Sequence, residues 1–199
     1  MKLANSRLVM RSRQAGFTLI EMMIVVAIIG VLAAIAVYAY GKVTTSAEID
    51  SEVNAIFAEF RVRQEEYHAE NGAYLSTGPS ETVMFPPGAP RRPQDAPVDI
   101  NPFLIAVDGS GGTPADQWVL LRMRPRKSTL RCGYAAIAGG AGAAVGESGG
   151  AVLQMNSPAP QSNWYYLLAR CDADGDNAVD SLYLSRHDRE ETLIQNKGK

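Results

Sequence analysis

Two hydrophobic periods divide the chain. From Met22 to Gly41 twenty residues pass without a formal charge, a length that spans about 30 Å as a helix and so matches the apolar core of a bilayer. After Gly41 the pattern turns amphipathic. Ile49, Val53, Ile56, Phe57, Phe60 and Tyr67 recur at helical spacing, with Glu48, Asp50, Glu52, Glu59, Arg61, Arg63, Glu65 and Glu66 mostly around the other sides. The pattern predicts one helix over about residues 17–70, stopped by the left-handed signal Asn71-Gly72. Residues 75–116 are rich in Pro and Gly and predict a connector. Four β-rich segments follow, at 117–126, 131–138, 163–170 and 179–186. The fold class is therefore α+β, a long N-terminal helix packed on a small antiparallel sheet. Between the second and third segments, GGAGAAVGESGGA at 139–151 predicts a mobile or surface-draped loop.

Glu21 interrupts the apolar run five residues from its start at Phe17. An ionised carboxylate inside a membrane costs about 2.5–3.5 kcal/mol even on lenient scales, so it calls for a partner. A secretory signal peptide would have an apolar stretch of only about 7–15 residues followed by a small-residue cleavage site; this run is longer and carries an acid. The stretch Gly16-Phe17-Thr18-Leu19-Ile20-Glu21, followed by MMIVVAIIGVLAAIA, resembles the class III signal and N-terminal helix of type IV pilins and pilin-like proteins. The resemblance is firm over residues 13–40 and looser over RQEEYHAENGAYLS. It implies that a prepilin peptidase cuts between Gly16 and Phe17, that Phe17 becomes the N-methylated first residue, and that Glu21 pairs with the amino terminus of a neighbouring subunit during assembly. One departure is Tyr38, where many family members carry a helix-disrupting Pro.

The implied division is a leader at 1–16, a transmembrane and assembly half of the helix at 17–41, an amphipathic half at 42–72, and a globular sheet domain at 73–199. Length and composition agree: 199 residues, 46% hydrophobic and 20% charged, leave room for one domain besides the helix. The leader holds Lys2, Arg7, Arg11 and Arg13 and no acid. Those charges place the N-terminus in the cytoplasm and the remainder across the inner membrane. Removing the leader shifts the formal charge from −2 to −6, with 15 basic against 21 acidic residues left. That balance argues against nucleic-acid binding by the subunit. The two cysteines, Cys132 and Cys171, form an even pair in an oxidising space, which predicts a disulfide.

Candidate chemistry is sparse. Asp172, Asp174, Asp176 and Asp180 crowd four carboxylates into nine residues, and Asp at the first, third and fifth positions is how calcium loops begin. The pattern then leaves the EF-hand, with Asn177 at the glycine position and Tyr183 at the bidentate Glu position. An Asp/Gly-rich hairpin turn suits the same composition, and both readings stand. His68 and His187 are the two histidines, and there is no HExxH or phosphate-binding glycine motif. Gly146-Glu147-Ser148-Gly149-Gly150 matches the letters of a nucleophile elbow but sits in a glycine-rich loop. Trp164, Tyr165 and Tyr166 read as core and sheet residues, and Arg91-Arg92 as solvated charge or a subunit contact. The chain is expected to be no enzyme. It is read as a filament subunit whose partners are copies of itself, other pilins, the prepilin peptidase and the assembly machinery, with calcium the one candidate cofactor. The alternatives are a pseudopilin of a type II secretion system and, in another class, a membrane-anchored extracytoplasmic binding domain.

Overall fold

A computed structural model describes residues 16–146, 152–155, 158–177, 180–189 and 191–198. The leader up to Ala15 and the letters Glu147 to Gly150 of the elbow-like sequence lie outside the described residues. The chain divides after Gly41 into two units.

The helix α1 runs from Leu19 to Asn71, 53 residues. Its 18-residue apolar window is long and hydrophobic enough to cross a membrane and has no buried residue. Beyond Gly41 the amphipathic pattern becomes packing: Ile49, Val53, Ile56, Phe57, Phe60 and Gln64 form a buried stripe at the three- and four-residue spacing of one helix face. Gly72, at φ 73°, closes the helix by donating its N–H to the His68 carbonyl at 2.8 Å, in the left-handed conformation that costs glycine least.

The main sheet is antiparallel in the order β3-β4-β5-β6. Its strands are β3 (Gly133–Gly139), β4 (Trp164–Cys171), β5 (Ser181–Arg186) and β6 (Thr192–Gln195). A two-residue ladder pairs β1 (Val98–Asp99) with β2 (Thr129–Leu130). A five-residue helix α2 (Asn101–Ile105) interrupts the connector. One face of the sheet buries Tyr134, Ala136, Tyr165, Leu167, Ala169 and Tyr183 against α1.

Three expectations change. The segment 117–126 is not a strand: helix α3 spans Pro114–Leu120. Thr113 caps it, its hydroxyl accepting from the Asp116 N–H while the Asp116 carboxylate accepts from the Thr113 N–H, with Pro114 at the first turn. Thr-Pro-Ala-Asp is a helix start, and it outweighs the β-rich letters that follow. Trp118 then packs edge-on against Phe60 with centroids 5.3 Å apart. Arg122, at φ 55°, ends the helix and sends Met123 into the core. Second, β4 is buried on both faces, because Trp164, Tyr166 and Leu168 form a second cluster with Val145, Leu153 and Met155. The described ends of the glycine-rich loop are therefore draped on the sheet and partly buried. Third, β6 was not anticipated; it pairs Leu182–Ser185 with Thr192–Gln195.

Candidate functional site

The first candidate is the start of α1. Gly16 is exposed, with nothing within 4 Å of where a Cβ would stand, and Phe17 is 81% exposed. Thr18 and Glu21 form a reciprocal cap. The Thr18 N–H and hydroxyl donate to Glu21 Oε2 at 2.7 and 2.8 Å, and the Glu21 N–H donates to Thr18 Oγ1 at 3.2 Å. The spacing Thr-x-x-Glu is a capping box, which satisfies N–H groups that a helix start leaves without partners. Glu21 therefore has a local partner in the single chain. From Leu19 to Val37 the large apolar side chains Ile20, Ile24, Ile28, Val31 and Leu32 are exposed along with their neighbours. Such a surface is stable in lipid or against other apolar helices and not in water.

The second candidate is the loop after β4. The β3–β4 register pairs Gly133 with Arg170, which sets Cys132 and Cys171 at the next position. Their sulfurs are bonded, with a Cα separation of 4.5 Å. Immediately beyond, buried Asp172 accepts from the Gly175 N–H at 2.7 Å and the Asn177 N–H at 3.3 Å, and Asp174 accepts from the Asp176 N–H at 3.3 Å. One carboxylate oxygen each from Asp172, Asp174 and Asp176 lies within 4.8 Å of the others. Oxygens at that spacing fit around a single cation held at about 2.4 Å from each. Asn177 takes φ 55°, so it adopts the left-handed conformation for which a glycine is favoured at that point of a calcium loop. Asp180 stands outside the trio. Burial raises its pKa, Arg170 opposes that, and Asp172 and Asp176 push it further up. Tyr183 has no part in the loop, since its hydroxyl donates to Asp50 at 2.8 Å.

The other candidates fall into the framework. Trp164, Tyr165 and Tyr166 are fully buried. His68 stacks on Tyr74 at 4.4 Å, and His187 lies 5.7 Å from the Tyr165 ring. Arg92 pairs with Asp95 at 2.8 Å, and that hydrogen bond holds the Asp95 carboxyl below its usual value.

Sequence reasoning missed what the acids of α1 do. Glu52 accepts from the Arg131 N–H at 3.0 Å, the Cys132 N–H at 3.1 Å and the Tyr134 hydroxyl at 2.8 Å, tying the helix to the root of β3. Tyr74 donates to Glu65 at 3.1 Å, and its pKa is pushed up to about 12 by burial and by Glu65. These carboxylates sit at the edge of the apolar stripe, Glu52 as an acceptor for the root of β3 and Glu65 for the loop that follows α1. Helical periodicity alone places them on a solvated face. The Thr18–Glu21 box was missed as well, although Thr-x-x-Glu is a four-residue signature of a helix start.

Residues 11–37 match the prokaryotic N-terminal methylation motif. The chain is also similar to a type IV major pilin protein PilE1 of Neisseria gonorrhoeae, 40% identical over 78 residues, covering 39% of this chain and 47% of that protein. The fimbrial protein of Neisseria meningitidis serogroup A is 40% identical over 74 residues, covering 37% and 43%. The type IV major fimbrial protein FimA of Dichelobacter nodosus is 53% identical over 45 residues, covering 23% and 28%. The chain thus spans less than half the length of these relatives. No solved structure matches it significantly. The motif and the relatives support a type IV pilin, a class of structural subunits and not of enzymes.

Proposed function

We propose that the chain is a structural subunit of a type IV pilus. It is stored in the inner membrane with its N-terminus cytoplasmic, cut between Gly16 and Phe17 by a prepilin peptidase, methylated at Phe17, and drawn into an extracellular filament by its assembly machinery. The observation that carries this reading is the overlap of the methylation motif at residues 11–37 with the start of a helix, from Leu19, whose apolar side chains are exposed among the described residues. The division into leader, assembly segment at 17–41, amphipathic segment at 42–72 and sheet domain at 73–199 follows from it. A pseudopilin of a type II secretion system shares the same processing chemistry; the pilin names of the relatives favour the pilus.

In this reading Glu21 exchanges its local bonds to Thr18 for the amino terminus of a neighbouring Phe17, a charge pair that a low-dielectric bundle shields from salt. The processing test is an immunoblot for the precursor: Gly16→Ala is expected to accumulate it while still inserting into the membrane, and wild-type processing would remove the class III assignment. Glu21→Ala is expected to be processed yet to give few sheared filaments; wild-type yields would show that Glu21 is not the assembly contact. Calcium belongs to the same reading, bound by the Asp172, Asp174 and Asp176 loop. A melting midpoint that rises with calcium and falls with chelator supports it, and one that ignores both leaves the loop a plain turn.

A further inference from the structure

The two edges of the main sheet are finished differently. Along β3 and its root the connector covers the edge. Phe85 and Tyr134 exchange N–H···O bonds of 2.9 and 2.8 Å, and the Thr77 and Arg91 N–H groups donate to the Ala136 and Arg131 carbonyls, each at 2.8 Å. The Ala136 and Ala138 N–H groups donate in turn to the hydroxyls of Thr77 and Ser76, each at 2.8 Å. On the opposite side β6 bonds to β5, and no other backbone hydrogen bond reaches Thr192–Gln195 among the described residues. Its outward amide and carbonyl groups form an open row, the template on which another strand adds.

Native edges are commonly blunted by a proline, a bulge or a charge within the strand. Thr192-Leu193-Ile194-Gln195 holds no proline and no charge, and its pairing with β5 runs without a bulge. The charges stand at its two ends and differ in sign: Glu191 precedes the strand and Lys197 follows it. Glu191 has no ion pair among the described residues. Lys197 meets Asp50 at 3.0 Å with its own side chain 56% exposed, a kind of pair that contributes little. Ile194, opposite Tyr183 in the register, is still 37% exposed.

We propose that β6 pairs edge to edge with β6 of a second copy of this chain, antiparallel about a two-fold axis through Ile194. In that register Glu191 of each copy stands opposite Lys197 of the other, and Ile194 stands opposite itself. A parallel pairing would set like charges together, which destabilises a ladder. A foreign strand would need the same order of charge, which this chain already carries. A two-fold contact uses one patch twice and closes, so it joins copies in pairs and does not extend a filament. Four residues a side bury far less than the roughly 1,200 Å² of a stable interface. The pair is therefore transient, and it forms where α1 confines copies to one membrane and raises their effective concentration. It needs α1 held in a membrane and does not need filament assembly.

The test uses the full chain in its own membrane. Ile194→Cys is expected to give a disulfide-linked dimer on mild oxidation, because opposed residues of antiparallel strands lie about 4.5–5.5 Å apart at Cα, within reach of a disulfide. Val62→Cys, 57% exposed on α1, measures chance collision and should give little dimer. Adding Glu191→Lys to Ile194→Cys should lower the dimer about fivefold, and adding Lys197→Glu as well should restore it, since opposed charges are then matched again. A photocrosslinking amino acid in place of exposed Gln195 reads the same contact without a new thiol and should give a dimer of this chain. An Ile194→Cys yield no higher than that of Val62→Cys, with no dimer from Gln195, overturns the pairing. So does an adduct with a different protein, or a charge reversal that has no effect or is not restored. Each of those failures leaves the filament reading as it stands.

Discussion

Helix α1 is one element built from two kinds of sequence, and the two halves differ in where their partners are. Between Leu19 and Val37 every described residue is exposed, although nearly all are apolar. In the second half Ile49, Val53, Ile56, Phe57 and Phe60 are buried to 3% exposure or less, while acids beside them accept hydrogen bonds from the sheet. A helix finds its burial either within its own chain or outside it. The first half finds none among the described residues, and such a surface is stable in a lipid phase or against other helices. The second half buries its apolar stripe in this chain's own core.

The sharpest way to break that contrast is a pair of truncations. Phe60→Ala removes a ring packed at 5.3 Å against Trp118 and is expected to cost about 3–5 kcal/mol, read as a lowered urea midpoint of the full chain in detergent. Ile28→Ala, 55% exposed, should leave that midpoint unchanged and appear only as weaker retention in membrane or filament. Equal effects on the midpoint would mean that the first half is also held by the chain's own fold. The next largest effect is the disulfide. Reduction opens the bridge between Cys132 and Cys171, 39 residues apart, and should cost about 2–4 kcal/mol in the second unit, leaving the helical content of residues 19–37 intact. The same melt before and after reductant, with thiols counted, checks it.

The smallest effect concerns charge in the loop. The folded pKa of Asp180 is raised by burial, so its ionised form disfavours the fold. Asp180→Asn should therefore raise the melting temperature at neutral pH by about 1–2 °C. The gain should fade as pH falls through the folded and then the unfolded pKa, where Asp180 is neutral too. A gain that persisted at acid pH would place its cause outside the carboxylate.

Much of this was legible in the residues because the signals are local. Twenty uncharged residues behind an acid, a 3.6-residue apolar stripe ending in Asn-Gly, and Cys132 and Cys171 as an even pair each carry their meaning at short range, and the long helix and the bridge followed. Spacing brought four carboxylates together on paper; the fold sets Asp172, Asp174 and Asp176 within 4.8 Å of one another, and spacing cannot say which way the side chain of Asp180 turns where a strand begins at Ser181.

What the tertiary structure decided are the matters that depend on residues far apart in the chain. The letters QWVLLRMRPR suit a strand, but the Thr113 cap and a site for Trp118 among Phe60, Phe85 and Tyr134 make the first part a helix and the rest a loop. Strand β4 is buried twice because part of a glycine-rich loop returns to cover its second face. Glu52 became an acceptor for β3 because packing brought Cys132 and Tyr134, some eighty residues away, to its carboxylate. Local sequence fixes which elements the backbone prefers; only packing decides which groups must give up water, and hence which acids are structural and which charges remain for a partner.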